Sequence, residues 1–316
     1  MNWITKKISE LKASAKRVIK KMPTFSEVQA SLWISTECGP VLKSDLKSNL
    51  FQCPKCNKNQ RIVLAKDRFD IFFGENNYEI LDIPIDKSLD DPLKWIDPEK
   101  PYIERLKQAR KKTGTNCAVQ FAVGKLKNEI QVTCGAISFT FIGGSIGIHE
   151  GNTILAGIDH AIKNKTPLVF FACGGGQRMY ESAFSLQQMT RTSLKVTEFK
   201  NSGLPYISFL VDPCYGGITA SFVWGDCVFS EKNASIGFAG PVIIKAQTPG
   251  EIIDDSFQQS ESLLKLGFVD GIFERKDLNE KVGNLLSILL KKNELKTADA
   301  ESFEDREIIK KTAHSA

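Results

Sequence analysis

The stretch Val211–Phe238, VDPCYGGITASFVWGDCVFSEKNASIGF, decides the predicted fold, because a strand in it runs into two glycines that open a helix. Residues 207–211 alternate in a β-rich run, and the pair Asp212-Pro213 is expected to end that strand. A helix is predicted to begin within Thr219–Phe222. The two glycines between these elements therefore occupy a strand-to-helix bend.

Gly216 and Gly217 at this bend predict an oxyanion hole. Glycine lets a ligand approach bare backbone, and unpaired NH groups at the start of a helix face any negative charge in front of them. Such NH groups stabilise an enolate or a tetrahedral oxyanion. Taken alone, a glycine pair after a strand is more often an ordinary turn.

A second turn of the same kind lies upstream. Thr166–Ala172 has the pattern of a buried strand, and residues 177–181 are expected to lie on a helix. Gly174, Gly175 and Gly176 stand between these elements. Two glycine-rich turns in one domain predict a site for a thioester substrate.

A third glycine-rich segment, GGSIG at residues 143–147, precedes a helix predicted over 150–163. A nucleotide-binding loop is the alternative. The sequence contains no GxGxxG or GxxxxGK pattern, and neither an acidic ribose partner nor a phosphate-binding lysine stands at the required offset. Nicotinamide and nucleoside-triphosphate binding are therefore disfavoured.

Periodicity predicts the remaining elements of the core. Residues 64–113 are polar and punctuated by prolines, as in a connector, with one amphipathic helix near 103–112. Strands are expected at 118–126 and 129–141, and an amphipathic helix at 256–267.

Five segments resemble the carboxyltransferase β subunit of bacterial acetyl-CoA carboxylase, in matching order along roughly residues 33–291. This resemblance implies a crotonase-like α/β fold, a ClpP/crotonase spiral of stacked ββα units, with a small N-terminal zinc-ribbon-like module. The segments are GGSIG (143–147), CGGGQRMYES (173–182), GLPYISFLVDPCYGGITASF (203–222), ASIGFAGP (234–241) and SFQQSESLLKLGFVDGI (256–272).

The expected organisation has five parts: a basic amphipathic segment (1–32), the zinc-ribbon-like module (33–61), a connector (62–115), the crotonase-like carboxyltransferase domain (116–292) and a charged tail (293–316). No apolar run approaches the roughly 20 residues that span a bilayer. The start of the chain also lacks the apolar region of a secretory signal. We expect a cytoplasmic enzyme subunit without membrane contact.

The resemblance implies transfer of the carboxyl group from carboxybiotin to acetyl-CoA, giving malonyl-CoA in the first committed step of fatty acid synthesis. Carboxybiotin would release CO₂ transiently, its ureido nitrogen would take a proton from the acetyl methyl group, and the enolate would attack CO₂. Gly216 and Gly217 receive the oxyanion role, and residues 174–176 form the neighbouring substrate loop.

The resemblance also implies the partners. An α subunit would carry the biotin-facing half of the site in an α2β2 heterotetramer. Biotin carboxylase would charge the biotin, which sits on a biotin carboxyl carrier protein.

Two departures from the family flank the predicted site. The segment CGGGQRM carries an extra residue before its arginine, and the chain between Phe222 and Gly225 is one residue shorter than usual. Three partners stay open for Arg178: a phosphate, a carboxylate of the α subunit, or Glu181 one turn away. The resemblance favours a structural contact, and no catalytic role is expected.

Cys38, Cys53 and Cys56 resemble the ligands of the family's zinc ribbon. Such a site uses four ligands around a tetrahedral ion. The family's first cysteine is replaced here by Ser35, which is a poor zinc ligand. Two alternatives stay open: a zinc completed by water, Glu37 or a more distant group, and a module that has lost its ion.

The other cysteines and the histidines are not expected to be catalytic. Free thiols in buried strands are expected, with no paired spacing that indicates a disulfide or a metal. Structural or surface roles are expected for the histidines, since none has an evident nucleophile beside it. These residues are Cys117, Cys134, Cys173, Cys214, Cys227, His149, His160 and His314.

The positive charge belongs to the front of the chain. Residues 1–69 hold 14 basic and five acidic side chains, so the rest of the chain carries −4 of the overall +5. Residues 3–21 are predicted to form a basic amphipathic helix, for which docking or solvation is favoured over membrane binding. An organelle transit peptide is the alternative, disfavoured by Glu10 and by the scarcity of serines. A nucleic-acid-binding scaffold is the alternative from another class, disfavoured because aromatic residues there do not form a stacking series. A carboxyltransferase or decarboxylase acting on another acyl-CoA also stays open.

Overall fold

The structure is a computed structural model that describes residues 32–96, 100–248, 254 and 256–291. The predicted basic N-terminal helix, the charged tail and His314 lie outside these residues. The chain divides into two compact units, one ending at Gln60 and the other beginning at Arg61.

The smaller unit is a hairpin followed by a short helix. Strands β1 (Trp33–Thr36) and β2 (Gly39–Leu42) pair in antiparallel fashion, and helix α1 spans Lys43–Ser48. Its core is small and contains the buried residues Val41, Leu46 and Cys53.

The larger unit is built on one mixed sheet, whose strands are β3 (Tyr78–Ile80), β4 (Val119–Lys125), β5 (Gln131–Ile137), β6 (Leu168–Gly174), β7 (Tyr206–Tyr215), β8 (Cys227–Glu231), β9 (Ile236–Gly237) and β10 (Gly271–Phe273). They lie in the order β10-β8-β7-β6-β5-β4-β3, with β9 paired to β7 outside this order. Strands β3, β4 and β5 are antiparallel neighbours, whereas β5, β6, β7, β8 and β10 run parallel.

Helices connect and flank these strands. They are α2 (Ala65–Phe73), α3 (Tyr102–Thr113), α4 (Ile148–Asn164), α5 (Ser182–Asn201), α6 (Gly217–Phe222), α7 (Pro241–Gln247) and α8 (Ser260–Lys265), and residues 278–291 are also helical. None of the described helices has both the length and the apolar character that a membrane crossing requires.

The central strands are apolar on both faces because helices cover the parallel part of the sheet on both sides. All seven residues of β6 are buried. Aromatic rings stack from neighbouring elements, with Phe171 and Phe209 at 4.9 Å between ring centroids and Phe170 and Phe222 at 4.1 Å. The predicted strands at 118–126 and 129–141 are confirmed as β4 and β5, and the helices predicted near 103–112 and 150–163 as α3 and α4.

Helix α2 packs into the core of the larger unit, although the polar composition of residues 64–113 indicated a connector. Phe69 and Phe72 of α2 are fully buried, and the ring of Phe72 lies 5.5 Å from that of Phe171. Strand β3 extends the sheet by pairing with β4. The spacing of Phe69, Phe72 and Phe73 gives α2 an apolar face despite its charged residues.

Three predicted boundaries are wrong. Strand β7 does not end at Asp212-Pro213 but continues to Tyr215, because its last two residues pair with β9. Residues 177–181 are not a regular helix, since the backbone N of Arg178 donates to Ile146 O and holds the segment extended up to a single 3₁₀ turn. The helix predicted at 256–267 is shortened to α8, because Gln258 O accepts from Ile236 N.

A buried ion triad joins β8 to two other elements of the larger unit. The carboxylate of Glu231 lies between the guanidinium groups of Arg68 on α2 and Arg275, with 2.7 Å from Arg275 Nη2 to Oε2. All three side chains are almost fully buried. Burial alone would raise the pKa of Glu231, but the charges of Arg275 and Arg68 outweigh it and lower the pKa to about 2.

The substitution Glu231→Gln should destabilise the fold strongly, because it removes the buried carboxylate that Arg68 and Arg275 share. The free energy of unfolding in urea should fall by about 3–5 kcal/mol. Glu129→Gln is the matched control, since it removes an exposed ion pair with Lys125, and it should cost less than about 1 kcal/mol. Equal effects of the two substitutions would contradict this account.

Stability should also depend on pH through this carboxylate. Its pKa is lowered from 4.5 to about 2 in the folded protein, so its contribution is complete above 4.5 and is lost as the pH falls towards 2. Urea denaturation across this range should show a steeper loss of stability in the parent than in Glu231→Gln. Parallel pH curves for the two proteins would show that Glu231 is not the group responsible.

Candidate functional site

Three glycine-bearing loops meet at one edge of the sheet. We call residues 143–147 the first glycine loop, 174–176 the second and 216–217 the third. They follow β5, β6 and β7, which are parallel neighbours. The carboxyl ends of parallel strands lie at the same edge, which is where open α/β sheets place their ligand sites.

The first and second loops are joined backbone to backbone. Gly175 N donates to Gly143 O at 3.0 Å, and Ile146 N donates to Gly176 O at 3.0 Å. A Cβ atom on Gly144 would lie 3.0 Å from Cys173 O and 3.1 Å from Gly174 Cα. Side chains are therefore excluded where these loops touch.

The second and third loops are equally close. A Cβ atom on Gly216 would lie 3.3 Å from Gly176 Cα, and Gly216 has a φ of 62° that side-chain-bearing residues rarely adopt. The structure thus places the predicted oxyanion and substrate-loop glycines side by side in space.

The NH groups of the third loop differ in their partners. Gly216 N donates to Phe238 O at 2.8 Å, so it is already engaged inside the protein. Among the described residues, the backbone NH of Gly217 and that of Gly176 have no backbone acceptor. Sequence reasoning missed this difference, because the pairing of β9 with the end of β7 brings Phe238 to Gly216.

Two side chains outside the predicted site border Gly217. A Cβ atom there would lie 2.7 Å from Met189 Sδ and would overlap the side chain of Gln177. The Gln177 amide, in the orientation that satisfies both of its ends, donates to Ser185 O at 2.6 Å and to Ile146 O at 3.2 Å. Gln177 therefore connects the second loop to the start of α5 and to the third loop.

A cavity of about 660 Å³ opens beside the third loop. Its volume suits a small-molecule site. Its wall is mainly apolar and includes Gly216, Val223, Phe238, Phe257, Leu263 and Leu266. A larger cavity, of about 840 Å³, lies between β3, β4 and the 276–279 segment, and none of the predicted site residues line it.

A cluster of buried charges lies beneath the first and second loops. We call Tyr102, Glu150, Arg178 and Glu181 the Arg178 network. Arg178 Nη2 donates to Glu150 Oε1 and to Ser145 O, both at 2.6 Å. Its Nη1 lies 3.2 Å from the Tyr102 hydroxyl and 3.3 Å from Glu181 Oε1. Of the three partners left open for Arg178, the structure shows Glu181, whereas sequence reasoning missed Tyr102 and Glu150.

All four side chains of the network are buried, and the ionised state is the stable one for its central pair. Burial alone would lower the pKa of Arg178, but the nearby Glu150 carboxylate raises it above its usual range. Burial alone would raise the pKa of Glu150, but the charge of Arg178 lowers it. The network is thus a permanent buried ion cluster.

The remaining candidates have structural roles. Cys173 Sγ donates to Ile137 O at 3.1 Å, and burial raises its pKa to about 12, so the thiol stays protonated and is no nucleophile. His149 is buried with Nε2 2.9 Å from Asp90 Oδ1, a partner that sequence reasoning missed. Cys117, Cys134 and Cys214 are buried free thiols, as predicted, and Cys227 is half-buried.

Cys38, Cys53 and Cys56 come together in the smaller unit. Their sulfur atoms all lie within 4.8 Å of one another. A tetrahedral zinc with Zn–S bonds of about 2.3 Å needs sulfurs roughly 3.8 Å apart. The three thiols therefore fit a zinc ion after a small adjustment. Backbone NH groups of Cys56 and Lys55 lower the pKa of Cys53 to about 7, which favours the thiolate that binds metals.

No fourth protein ligand is in place among the residues that the structure describes. The Glu37 carboxylate is 2.5 Å from Lys58 Nζ, so it would have to leave that ion pair. Ser35 is exposed and alternates with Thr36 along β1, whose hydroxyl lies 3.8 Å from Cys53 Sγ. Side chains of successive strand residues point to opposite faces, so Ser35 points away from the thiols.

Residues 101–263 match the family model described as Carboxyl transferase domain. The acetyl-coenzyme A carboxylase carboxyl transferase subunit beta of Pelagibacter ubique (strain HTCC1062) is 50% identical over 315 residues, covering 99% of this chain and 100% of that relative. The protein of the same name from Brucella canis is 40% identical over 294 residues, covering 92% of this chain and 93% of that relative.

A crystal structure of a Pseudomonas malonate decarboxylase heterotetramer in complex with malonate has a TM-score of 0.54 and 20% sequence identity. The alignment covers 72% of this chain and 82% of that one. The likeness confirms the predicted crotonase-like α/β fold.

Proposed function

The chain belongs to the family of acetyl-CoA carboxylase carboxyltransferase β subunits, and we propose that its three glycine loops hold the thioester of acetyl-CoA during carboxyl transfer. The protein is a transferase that moves the carboxyl group of carboxybiotin to acetyl-CoA, giving malonyl-CoA. Biotin on the carrier protein supplies the carboxyl group and then the base for the methyl proton. The chain itself has to bind and orient acetyl-CoA and to stabilise the negative charge that develops on its thioester.

The observation that carries this proposal is the NH of Gly217 at the junction of the loops, which has no backbone acceptor among the described residues. Removing a proton from the acetyl methyl group places negative charge on the thioester oxygen. An NH that already points at this oxygen stabilises the charge without reorganising. Gly176 offers a second NH that has no backbone acceptor among the described residues. It lies near the first, since a Cβ on Gly176 would be 3.8 Å from Gly217 N.

Gly216 has a different part in the proposed site from Gly217. Its NH is bound to Phe238 O, so we assign it the bend rather than an oxyanion contact. Its positive φ turns the chain so that Gly217 N faces the thioester oxygen, and its missing side chain lets the second loop approach. The predicted pair thus divides into one donor and one shaping residue.

The rim of the 660 Å³ cavity supports contact with an α subunit. Phe238 and Leu266 are each 81% exposed beside the cavity. Large exposed apolar side chains that cluster at a cavity mark binding surfaces. We assign this rim to the α subunit of an α2β2 assembly, which would complete the site and admit the biotin of the carrier after biotin carboxylase has charged it.

We also propose that the smaller unit holds one zinc ion through Cys38, Cys53 and Cys56. The sulfur spacing and the lowered pKa of Cys53 support this assignment. A solvent molecule would fill the fourth position, because Glu37 is paired with Lys58 and Ser35 points away. The ion would stabilise the small core and take no part in carboxyl transfer.

Gly216→Ala should reduce malonyl-CoA formation by the β subunit reconstituted with an α subunit by at least about 10²-fold. The added methyl group would lie 3.3 Å from Gly176 Cα. It must therefore push the second and third loops apart and move Gly217 N from the thioester oxygen.

Gly203→Ala is the matched control for this substitution. Gly203 has a similar φ of 76°, but no atom lies within 4 Å of its added Cβ. Both substitutions put a side chain at a positive φ, so both should lose melting temperature, whereas only Gly216→Ala should lose the rate. A Gly216→Ala enzyme that assembles and works within a few-fold of the Gly203→Ala enzyme would show that the bend has no catalytic part.

Purified protein should contain about one equivalent of zinc by metal analysis, and Cys53→Ser should remove it. Cys227→Ser, which changes a half-buried thiol of the larger unit, should keep the zinc. Folded parent protein without zinc, or zinc that survives the loss of Cys53, would refute the assigned site.

A further inference from the structure

The first glycine loop is hydrogen-bonded to Arg178 of the Arg178 network, which closely follows the second glycine loop in sequence. Arg178 N donates to Ile146 O at 2.8 Å, and its guanidinium donates to Ser145 O at 2.6 Å. Arg178, two positions after Gly176, therefore binds the first loop through both its backbone and its side chain.

The carboxylates of the network bind the same loop. Glu150 Oε2 accepts from Gly147 N at 2.9 Å, and Glu181 Oε2 accepts from Ile148 N at 2.6 Å. A Cβ on Gly147 would lie 2.7 Å from Glu181 Cδ, so the loop lies directly against this carboxylate. The backbone NH groups balance the excess negative charge of two carboxylates facing one guanidinium.

The connection continues to the third loop. Gln177, the residue before Arg178, packs against Gly217, and Gly176 packs against Gly216. A change in the position of Arg178 would therefore shift Gly176 and Gln177, the two residues that lie beside the third loop and the NH of Gly217.

The Arg68–Glu231–Arg275 triad provides an internal comparison. It is as deeply buried and also contains arginine–carboxylate pairs, but it joins β8 to α2 and to the 275–277 turn. The ion pairs of the triad join elements other than the three glycine loops. Loss of stability alone can therefore be separated from loss of loop geometry.

We propose that Arg178 is a positioning residue for carboxyl transfer: its contacts to Ser145, Glu150 and Glu181 hold the second glycine loop against the first and so aim Gly217 N. This inference rests on the proposed function of the loops. Lysine keeps the positive charge but donates from a single nitrogen, so it cannot replace the planar fork that reaches all these acceptors at once.

The test compares Arg178→Lys with Arg68→Lys, each assembled with an α subunit. Arg178→Lys should lower kcat roughly 10²-fold, while KM for acetyl-CoA stays within about threefold. Arg68→Lys should lose melting temperature and keep kcat within about twofold. Hydrogen exchange of peptides covering 143–148 and 174–178 should accelerate in Arg178→Lys alone.

Hydrogen exchange is measured without substrate, so it tests the positioning role even if Gly216→Ala shows that the loops have no catalytic part. Tyr102→Phe serves if Arg178→Lys fails to fold, because it removes only the hydroxyl that contacts Arg178 and Glu181. It should lower kcat about tenfold with normal assembly. Parent-like kcat and exchange in Tyr102→Phe, or equal behaviour of Arg178→Lys and Arg68→Lys, would overturn the proposal.

Discussion

Backbone packing without side chains at the carboxyl edge of the sheet is the constraint on which the proposed site depends. Parallel strands lie only about 4.8 Å apart, so the segments that leave β5, β6 and β7 start out crowded. They stay close because a Cβ on Gly144 or Gly174 would crowd the neighbouring backbone, and a Cβ on Gly216 would lie 3.3 Å from Gly176 Cα. The close approach of these backbones sets the NH of Gly217, which has no backbone acceptor among the described residues, next to Gly216 in the wall of an open cavity.

The closely packed backbone of these loops needs support from neighbouring side chains, since loops of glycine have little side-chain packing of their own. The Arg178 network supplies it with ionised groups that the protein keeps out of water. Burying charges is costly unless each is paired and hydrogen-bonded. Here the carboxylates accept from backbone NH groups and from the guanidinium, so the groups that neutralise one another also hold the loops in place.

Much of this arrangement could be predicted from the sequence, because local patterns encode it. The glycine turns that end β6 and β7, at residues 174–176 and 216–217, could be predicted from apolar runs and glycines, and the family resemblance implied the crotonase-like fold. Contacts distant along the chain could not be predicted. Phe238 reaches Gly216 only through β9, and Tyr102 reaches Arg178 from 76 residues away. Polar composition also concealed the apolar face of α2, since Phe69 and Phe72 are spaced among charged residues.

The central claim is that Gly217 N contacts the thioester oxygen on which negative charge develops. A crystal structure of the assembled α and β subunits with acetyl-CoA bound tests it most directly, through the distance from Gly217 N to that oxygen. The account predicts a hydrogen-bond distance of about 2.7–3.1 Å. A thioester oxygen held by other groups, with Gly217 N bound to protein or facing away, would contradict it.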